Sequence, residues 1–181
     1  MFVEQIRKRR SLRKYQNKSI EPEKLDTIIE AILRSPSSRG LNPWQFVVVT
    51  ERELLEKLSQ SKPHGSSFVK GAAAAIVICA DVDTADTWIE DGTIATLYAQ
   101  LAAESMGLGS CWVQIRDRPH NDQQSSKEYI AQLLGIPSNL EILSLAVMGY
   151  PDEEKSPHKK EDLQYKKVRL NNYETLYSES T

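Results

Sequence analysis

Residues 71–81 read Gly-Ala-Ala-Ala-Ala-Ile-Val-Ile-Cys-Ala-Asp, an apolar run with no polar member between its ends. A strand with one wet face alternates apolar and polar side chains. An unbroken run instead marks a strand covered on both faces. Whatever sheet this chain makes must therefore be wrapped by helices, and the other segments have to supply them.

They do. Residues 3–10 read as a short helix ending at Ser11. Glu21-Pro22 opens a second helix, with Pro where its missing N–H costs nothing. Leu25, Ile28, Ile29, Ile32 and Leu33 give that helix an apolar face, and it stops before Pro36. Trp44–Thr50 is a strand rich in Val and aromatic residues, followed by a charged helix over 51–59. Residues 88–106 form the longest helix, with Ile94, Leu97, Tyr98, Leu101, Ala102 and Met106 as its stripe. Its Ala and Thr residues predict close packing against another helix, and Gly107-Leu108-Gly109 caps it. A strand over 110–115, a helix over 125–134 and a strand over 141–149 complete the pattern. Helices and strands alternate only partly. The expected class is α+β, a four- or five-stranded sheet wrapped by helices in a single domain spanning residues 1–181.

Composition narrows the function classes. A chain of 181 residues with 40% hydrophobic and 27% charged residues is an ordinary globular domain. Its net charge of -2 gives no global pull toward nucleic acid or anionic lipid. Arg7 to Arg10 follow Met1 too closely for a signal peptide, and no run is long enough to span a bilayer. Cys79 and Cys111 lie in apolar strands as reduced thiols, and His64, His120 and His158 are too scattered for a metal pattern. A cytoplasmic protein without metal is expected.

Two segments carry candidate chemistry. Arg9, Arg10 and Arg13 surround Ser11 at a helix end, and guanidinium forks with a hydroxyl suit an anionic phosphate. The same residues could simply complement a helix C-terminus. A nucleic-acid patch is a further reading, because residues 7–18 hold seven basic residues and no acid. The second segment, Ser35 to Phe46, sets Ser37, Ser38, Arg39 and Asn42 in one turn before a strand. Hydroxyl, amide and guanidinium groups there could read a flat heterocycle, or the segment could be an ordinary helix-to-strand turn. Trp88 and Trp112 read as core or interface residues, and Glu90-Asp91 as a solvated helix start. No dinucleotide fingerprint, Walker loop or nucleophile elbow occurs.

Three motifs occur together in order: Arg-Arg-Ser-x-Arg-x-Tyr at 9–15, Pro-Ser-Ser-x-x-x-Asn-Pro-Trp-x-Phe at 36–46, and an Ala-rich helix ending Gly-Leu-Gly-Ser-Cys-Trp at 107–112. With Ala-Val-Met-Gly-Tyr-Pro at 146–151, this pattern resembles the FMN-dependent nitroreductases over nearly the whole chain. The resemblance implies a mainly antiparallel sheet and an intertwined homodimer, with a tail from about residue 151 packing on the partner subunit. It implies FMN as cofactor and NADH or NADPH as donor. Hydride would pass through flavin N5 to a nitroaromatic or quinone acceptor by ping-pong turnover. Arg9, Arg10 and Ser11 would hold the phosphate, and Arg13 would lie by the pyrimidine edge. Ser37, Ser38 and Arg39 would close over the flavin from the partner subunit, with Asn42 in the same turn. Gln114, Ile115 and Arg116 would run beneath the ring with a backbone N–H toward N5. Gly149 would permit close backbone approach, and Lys167 and Arg169 would complete the phosphate site. No side chain would act as catalytic acid or base, since the flavin carries the chemistry. The chain departs from the family pattern in lacking Glu-Gly beneath the ring and in leaving little room for a lid between 115 and 125. A specialised dehalogenase-like or flavin-modifying enzyme, or a flavin-binding regulator without turnover, stands as the alternative.

Overall fold

The computed structural model describes residues 2–177. The unbroken apolar run is strand β2 (Ala74–Asp81), and it lies inside the sheet. Strands β1 (Trp44–Val49), β3 (Gly109–Gln114) and β4 (Leu140–Gly149) join it in the order β1-β2-β4-β3. All three pairings are antiparallel. Residues 74–80 are buried throughout, as a doubly covered strand requires. Ala75, Val77 and Cys79 share one core with Leu55, Leu58 and Ile130. Their neighbours Ala74, Ile76 and Ile78 share the other with Ile28, Ile32, Ala99 and Ala103. The period-two alternation of a strand thus feeds two cores. Helices α3 (Arg52–Leu58) and α5 (Ser126–Leu134) supply the first, and α2 (Pro22–Leu33) and α4 (Trp88–Ser105) the second.

Helix α4 differs from its sequence reading. The buried face carries Gly92, Ala95, Thr96, Ala99, Gln100 and Ala103, while Leu97 and Tyr98 are exposed. Small residues let the helix axis approach the sheet closely. A Cβ on Gly92 would meet Leu143 Cδ2 at 2.8 Å and Ile78 Cγ2 at 3.3 Å. Leu97 and Tyr98 of the apolar stripe therefore point away from the core, while Ala102 and Met106 pack against it. Part of the stripe meets α1 (Phe2–Lys8), where Gln5 Nε2 donates to the Leu101 carbonyl. Helix α5 begins at a capping box between Ser125 and Glu128 and ends at Gly135 in the left-handed region.

Two further features position the site. The β2–β4 register shifts at Ile78/Cys79, so Leu143 bulges out of the ladder. Beyond β4 the chain is irregular, with short 3-10 turns at Lys160–Asp162 and Tyr165–Lys167. Its Val168, Leu170, Tyr173 and Leu176 side chains are exposed.

Candidate functional site

The basic segment after α1 is fastened to the ends of β3 and β4. Leu12 N–H donates to the Ser110 carbonyl at 3.0 Å, and Gln16 N–H to the Tyr150 carbonyl at 2.9 Å. Ser11 bridges Ser110, and Tyr15 bridges Pro151. A Cβ on Gly109 would strike Leu12 Cδ1 at 2.8 Å, so glycine lets the segment lie flat on the strand. The Tyr15 hydroxyl donates to the Leu12 carbonyl at 2.6 Å, and burial pushes its pKa up. The Glu153 carboxylate accepts the backbone N–H groups of Arg13 and Lys14, which holds it well below the usual carboxylate range.

With the backbone fixed, the guanidinium groups are left to outside partners. Among the described residues, Arg9, Arg10 and Arg13 have no carboxylate within 4 Å. Arg10 donates to the Ser156 carbonyl, and the Arg13 guanidinium lies 5.8 Å from the centre of the Phe68 ring. Lys155 joins them: its Nζ donates to the Ser11 carbonyl at 2.9 Å. Burial pushes the Cys111 thiol pKa up, against the opposing pull of Arg13 and Lys155. Helix-dipole complementation covers Arg9, whose N–H still donates to the Gln5 carbonyl, but not the residues beyond it. Helix α1 ends at Lys8, and Arg9 to Arg13 continue past it along the sheet edge.

The resemblance implies Lys167 and Arg169 at the phosphate site; within one chain Arg169 is engaged by its own tail. The Arg169 guanidinium donates to the Lys166 carbonyl at 2.6 Å and sits 5.2 Å from the Tyr173 ring centre. Lys155, six residues after Gly149, is a member of the cluster that the sequence motifs do not mark. Its signal was weak, because it sits in a run of acids that reads as solvated loop.

Gln114, Ile115 and Arg116 lie where β3 leaves the sheet. The N–H groups of Ile115 and Arg116 both donate to the bulged Leu143 carbonyl, at 3.1 and 3.0 Å. The resemblance implies one backbone N–H of this segment toward the ligand, and two of its three are already used. The chain then turns at Asp117, which takes φ 57. Arg116 Nε is buried and unpartnered. Residues 116–125 form turns and no helix, and they border an open groove of about 500 Å³ with Lys127 and Glu141. Gly149 makes a close approach of another kind. A Cβ there would meet Ala73 N and the Tyr15 side chain at 3.1 Å, so its missing side chain serves internal packing.

The Ser37–Asn42 turn is tightly built. Ser37 Oγ donates to Asn42 Oδ1 at 2.7 Å and accepts Asn42 N–H at 2.9 Å. Arg39 and Asn42 adopt φ 55 and 50, a left-handed backbone that side chains rarely take. Arg39 pairs with Asp86 at 2.8 Å. The Ser38 N–H donates to Asp91 Oδ1 at 2.9 Å, and Thr87 Oγ1 donates to Asp91 Oδ2 at 3.1 Å. Asp91 is only 2% exposed. The expectation that Glu90-Asp91 forms a solvated helix start is therefore corrected at Asp91, whose oxygens accept from the turn and from Thr87. Trp88 and Trp112 pack partly buried against the α2–α4 core, as expected.

The sequence profile of the Nitroreductase family matches residues 6–62 and 59–150, covering both candidate segments and all four strands. The chain belongs to the nitroreductase family. An FMN-dependent nitroreductase from Clostridium difficile R20291 superposes with a TM-score of 0.93 at 46% identity, covering 94% of this chain and 99% of that one. The NADPH:FMN oxidoreductase of Vibrio harveyi complexed with NAD+ superposes with a TM-score of 0.78 at 28% identity, covering 97% and 79%. An Archaeoglobus fulgidus protein provisionally named NADH dehydrogenase/NAD(P)H nitroreductase is 35% identical over 164 residues, 88% of this chain and 91% of its own. This nitroreductase-family chain has an antiparallel four-stranded sheet flanked by helices. None of its described helices is long and apolar enough to cross a membrane.

Proposed function

We propose that the chain is an FMN-dependent oxidoreductase, taking reducing equivalents from NADH or NADPH and passing them to a flat electron-poor acceptor such as a nitroaromatic or quinone. The observation that carries the reading is the set of Arg9, Arg10 and Arg13 guanidiniums without carboxylate partners, fastened beside Ser11 in a chain of this family. The donor set fits FMN: fixed cations for its phosphate, and a buried unpartnered Arg116 Nε in the segment expected under its ring. When bound, FMN supplies the redox chemistry at N5.

The protein's part is to bind and tune. Arg9, Arg10, Ser11 and Lys155 hold the phosphate end by charge-assisted hydrogen bonds. Arg13 sets a cation at the pyrimidine edge, where reduction deposits negative charge, and so favours the reduced form. Ile115 and Arg116 are held by the Leu143 carbonyl, which fixes the platform beneath the ring. Ser37, Ser38, Arg39 and Asn42 cover the cofactor from a second copy of the chain. No catalytic acid or base is assigned.

A homodimer suits the exposed apolar residues. Phe2, Val3, Ile6, Leu97 and Tyr98 on α1 and α4, and the tail residues Val168, Leu170 and Leu176, are left without cover in one chain. A second copy buries them, and Lys167 and Arg169 then reach the partner's phosphate site. With no helix between 116 and 125, donor and acceptor share one open face in turn, which gives ping-pong kinetics. Unpaired Cys79 and Cys111 agree with the reducing cytoplasm. The test is a spectrum of the purified protein reconstituted with FMN. Flavin absorbance that bleaches anaerobically with NADH or NADPH supports the reading, and a protein that cannot retain FMN rejects it.

A further inference from the structure

Asp91 occupies a position that the redox chemistry does not explain. It lies in the first turn of α4, is 2% exposed, and has no cation within 4 Å among the described residues. Burying a carboxylate without a counter-ion is costly, and it persists only where hydrogen bonds replace the lost water. Here one oxygen takes the Ser38 N–H at 2.9 Å and the other takes the Thr87 hydroxyl at 3.1 Å. The N-terminus of the 18-residue α4 adds a favourable field. Every group that pays for the burial belongs to the Ser37–Asn42 turn or to the start of α4.

The turn needs such an anchor. Arg39 and Asn42 both hold left-handed backbones, at about 1 kcal/mol each or more. Strain of this kind lasts only when neighbouring structure fixes it. The Ser37–Asn42 bonds close the turn on itself but do not attach it to the fold. The attachments run to the start of α4: Arg39 to Asp86, and Ser38 to Asp91. The Arg39–Asp86 pair is 65% and 80% exposed, so water screens it and it contributes little. The buried Asp91 bond is the strong one.

We propose that Asp91 is the positioning residue of the cofactor turn, holding Ser38 and Arg39 in place through the Ser38 amide. This rests on the reading that the turn covers FMN. A consequence follows for Ser38. Its N–H is committed to Asp91, so only its hydroxyl remains to meet a ligand. Helix α4 thereby ties the exposed Leu97–Tyr98 face to the cofactor turn.

Asp91→Ala and Asp91→Asn test the assignment. The amide of Asn can still accept from Ser38 and can donate to Thr87, so it preserves the anchor. Two readouts are taken: the FMN dissociation constant by fluorescence quenching, and the rate of tryptic cleavage after the exposed Arg39 in the flavin-free protein. Asp91→Ala is expected to weaken FMN about tenfold or more and to speed cleavage by a similar factor, the loss of one hydrogen bond to a charged group. Asp91→Asn should restore both to within about threefold of wild type, a rescue that general destabilisation would not give. If Asp91→Ala does not fold, Thr87→Val removes half the support and should speed Arg39 cleavage about threefold. Unchanged Arg39 cleavage in these variants overturns the inference. The wild-type FMN constant is separate: if the wild type does not bind FMN, the functional reading fails while the cleavage assay still decides the anchor.

Discussion

The Lys155 ammonium donates to the Ser11 carbonyl at 2.9 Å, across 144 residues of chain. That contact adds a cation to Arg9, Arg10 and Arg13 and ties the loop after β4 to the basic segment. Lys155 also lies 3.3 Å from the Glu153 carboxylate, which itself holds the Arg13 and Lys14 amides. One acid thus organises the segment while the guanidiniums stay available.

Lys155→Ala is accordingly expected to weaken FMN about tenfold, the worth of one charge-assisted hydrogen bond. In the proposed dimer Lys167 and Arg169 reach the site only from a second copy, so Lys167→Ala and Arg169→Ala should each cost less than this. Fluorescence titration of the three variants makes the comparison. An equal loss in all three would place the tail pair on the phosphate as firmly as Lys155.

Arg13 and the Arg9–Ser11 pair separate by readout. Arg13→Ala should lower the flavin reduction potential while leaving FMN retention within about threefold of wild type. Replacing Arg9 and Ser11 together by Ala should reverse this, with FMN lost and the potential of any bound flavin unchanged. Potentiometry alongside dialysis distinguishes the two. Equal effects on both quantities would remove the division of roles.

Gly92→Ala in α4 goes against helix propensity. Alanine in a helix interior ordinarily gains up to about 1 kcal/mol over glycine. Here the new Cβ would sit 2.8 Å from Leu143 Cδ2 and 3.3 Å from Ile78 Cγ2, so overpacking of about 1–3 kcal/mol outweighs that gain. Urea denaturation should show a lower midpoint at unchanged slope. A higher midpoint would mean that α4 lies farther from the sheet.

The Tyr150 hydroxyl donates to Glu21, and this bond, with Lys24 and Lys18 nearby, holds the Glu21 carboxyl down at about 2. A folded-state value below the unfolded value of 4.5 adds stability that is fully present above pH 4.5 and fades as pH falls toward 2. Glu21→Gln should flatten that part of the stability curve. An unchanged acid limb would show that Glu21 titrates alike in both states.

The elements were legible where the pattern is local. The apolar run at 74–80 declared a doubly covered strand, and Pro22 and Gly107 marked helix ends. What stayed hidden depends on partners distant in sequence. The apolar stripe of α4 reads as its core face, yet its alanines face the sheet, because the tight fit at Gly92 is visible only once Leu143 is in place. Asp91 reads as solvent-facing because its partner, the Ser38 amide, is 53 residues away and carries no side-chain signature. The basic segment was legible as a cluster of cations, but its neighbour Lys155 was masked by the acids around it. The Leu143 bulge that uses two amides of the 114–116 segment left no mark in the strand pattern.

The central claim is that Arg9, Arg10 and Ser11 hold a flavin phosphate, and the affinity of the wild-type protein for FMN relative to riboflavin measures it most directly. The two flavins share every ring contact and differ only in the phosphate. Several charge-assisted hydrogen bonds to that group predict FMN binding tighter by about a hundredfold or more, with a preference that shrinks as salt rises. Equal affinity for both flavins would contradict the account.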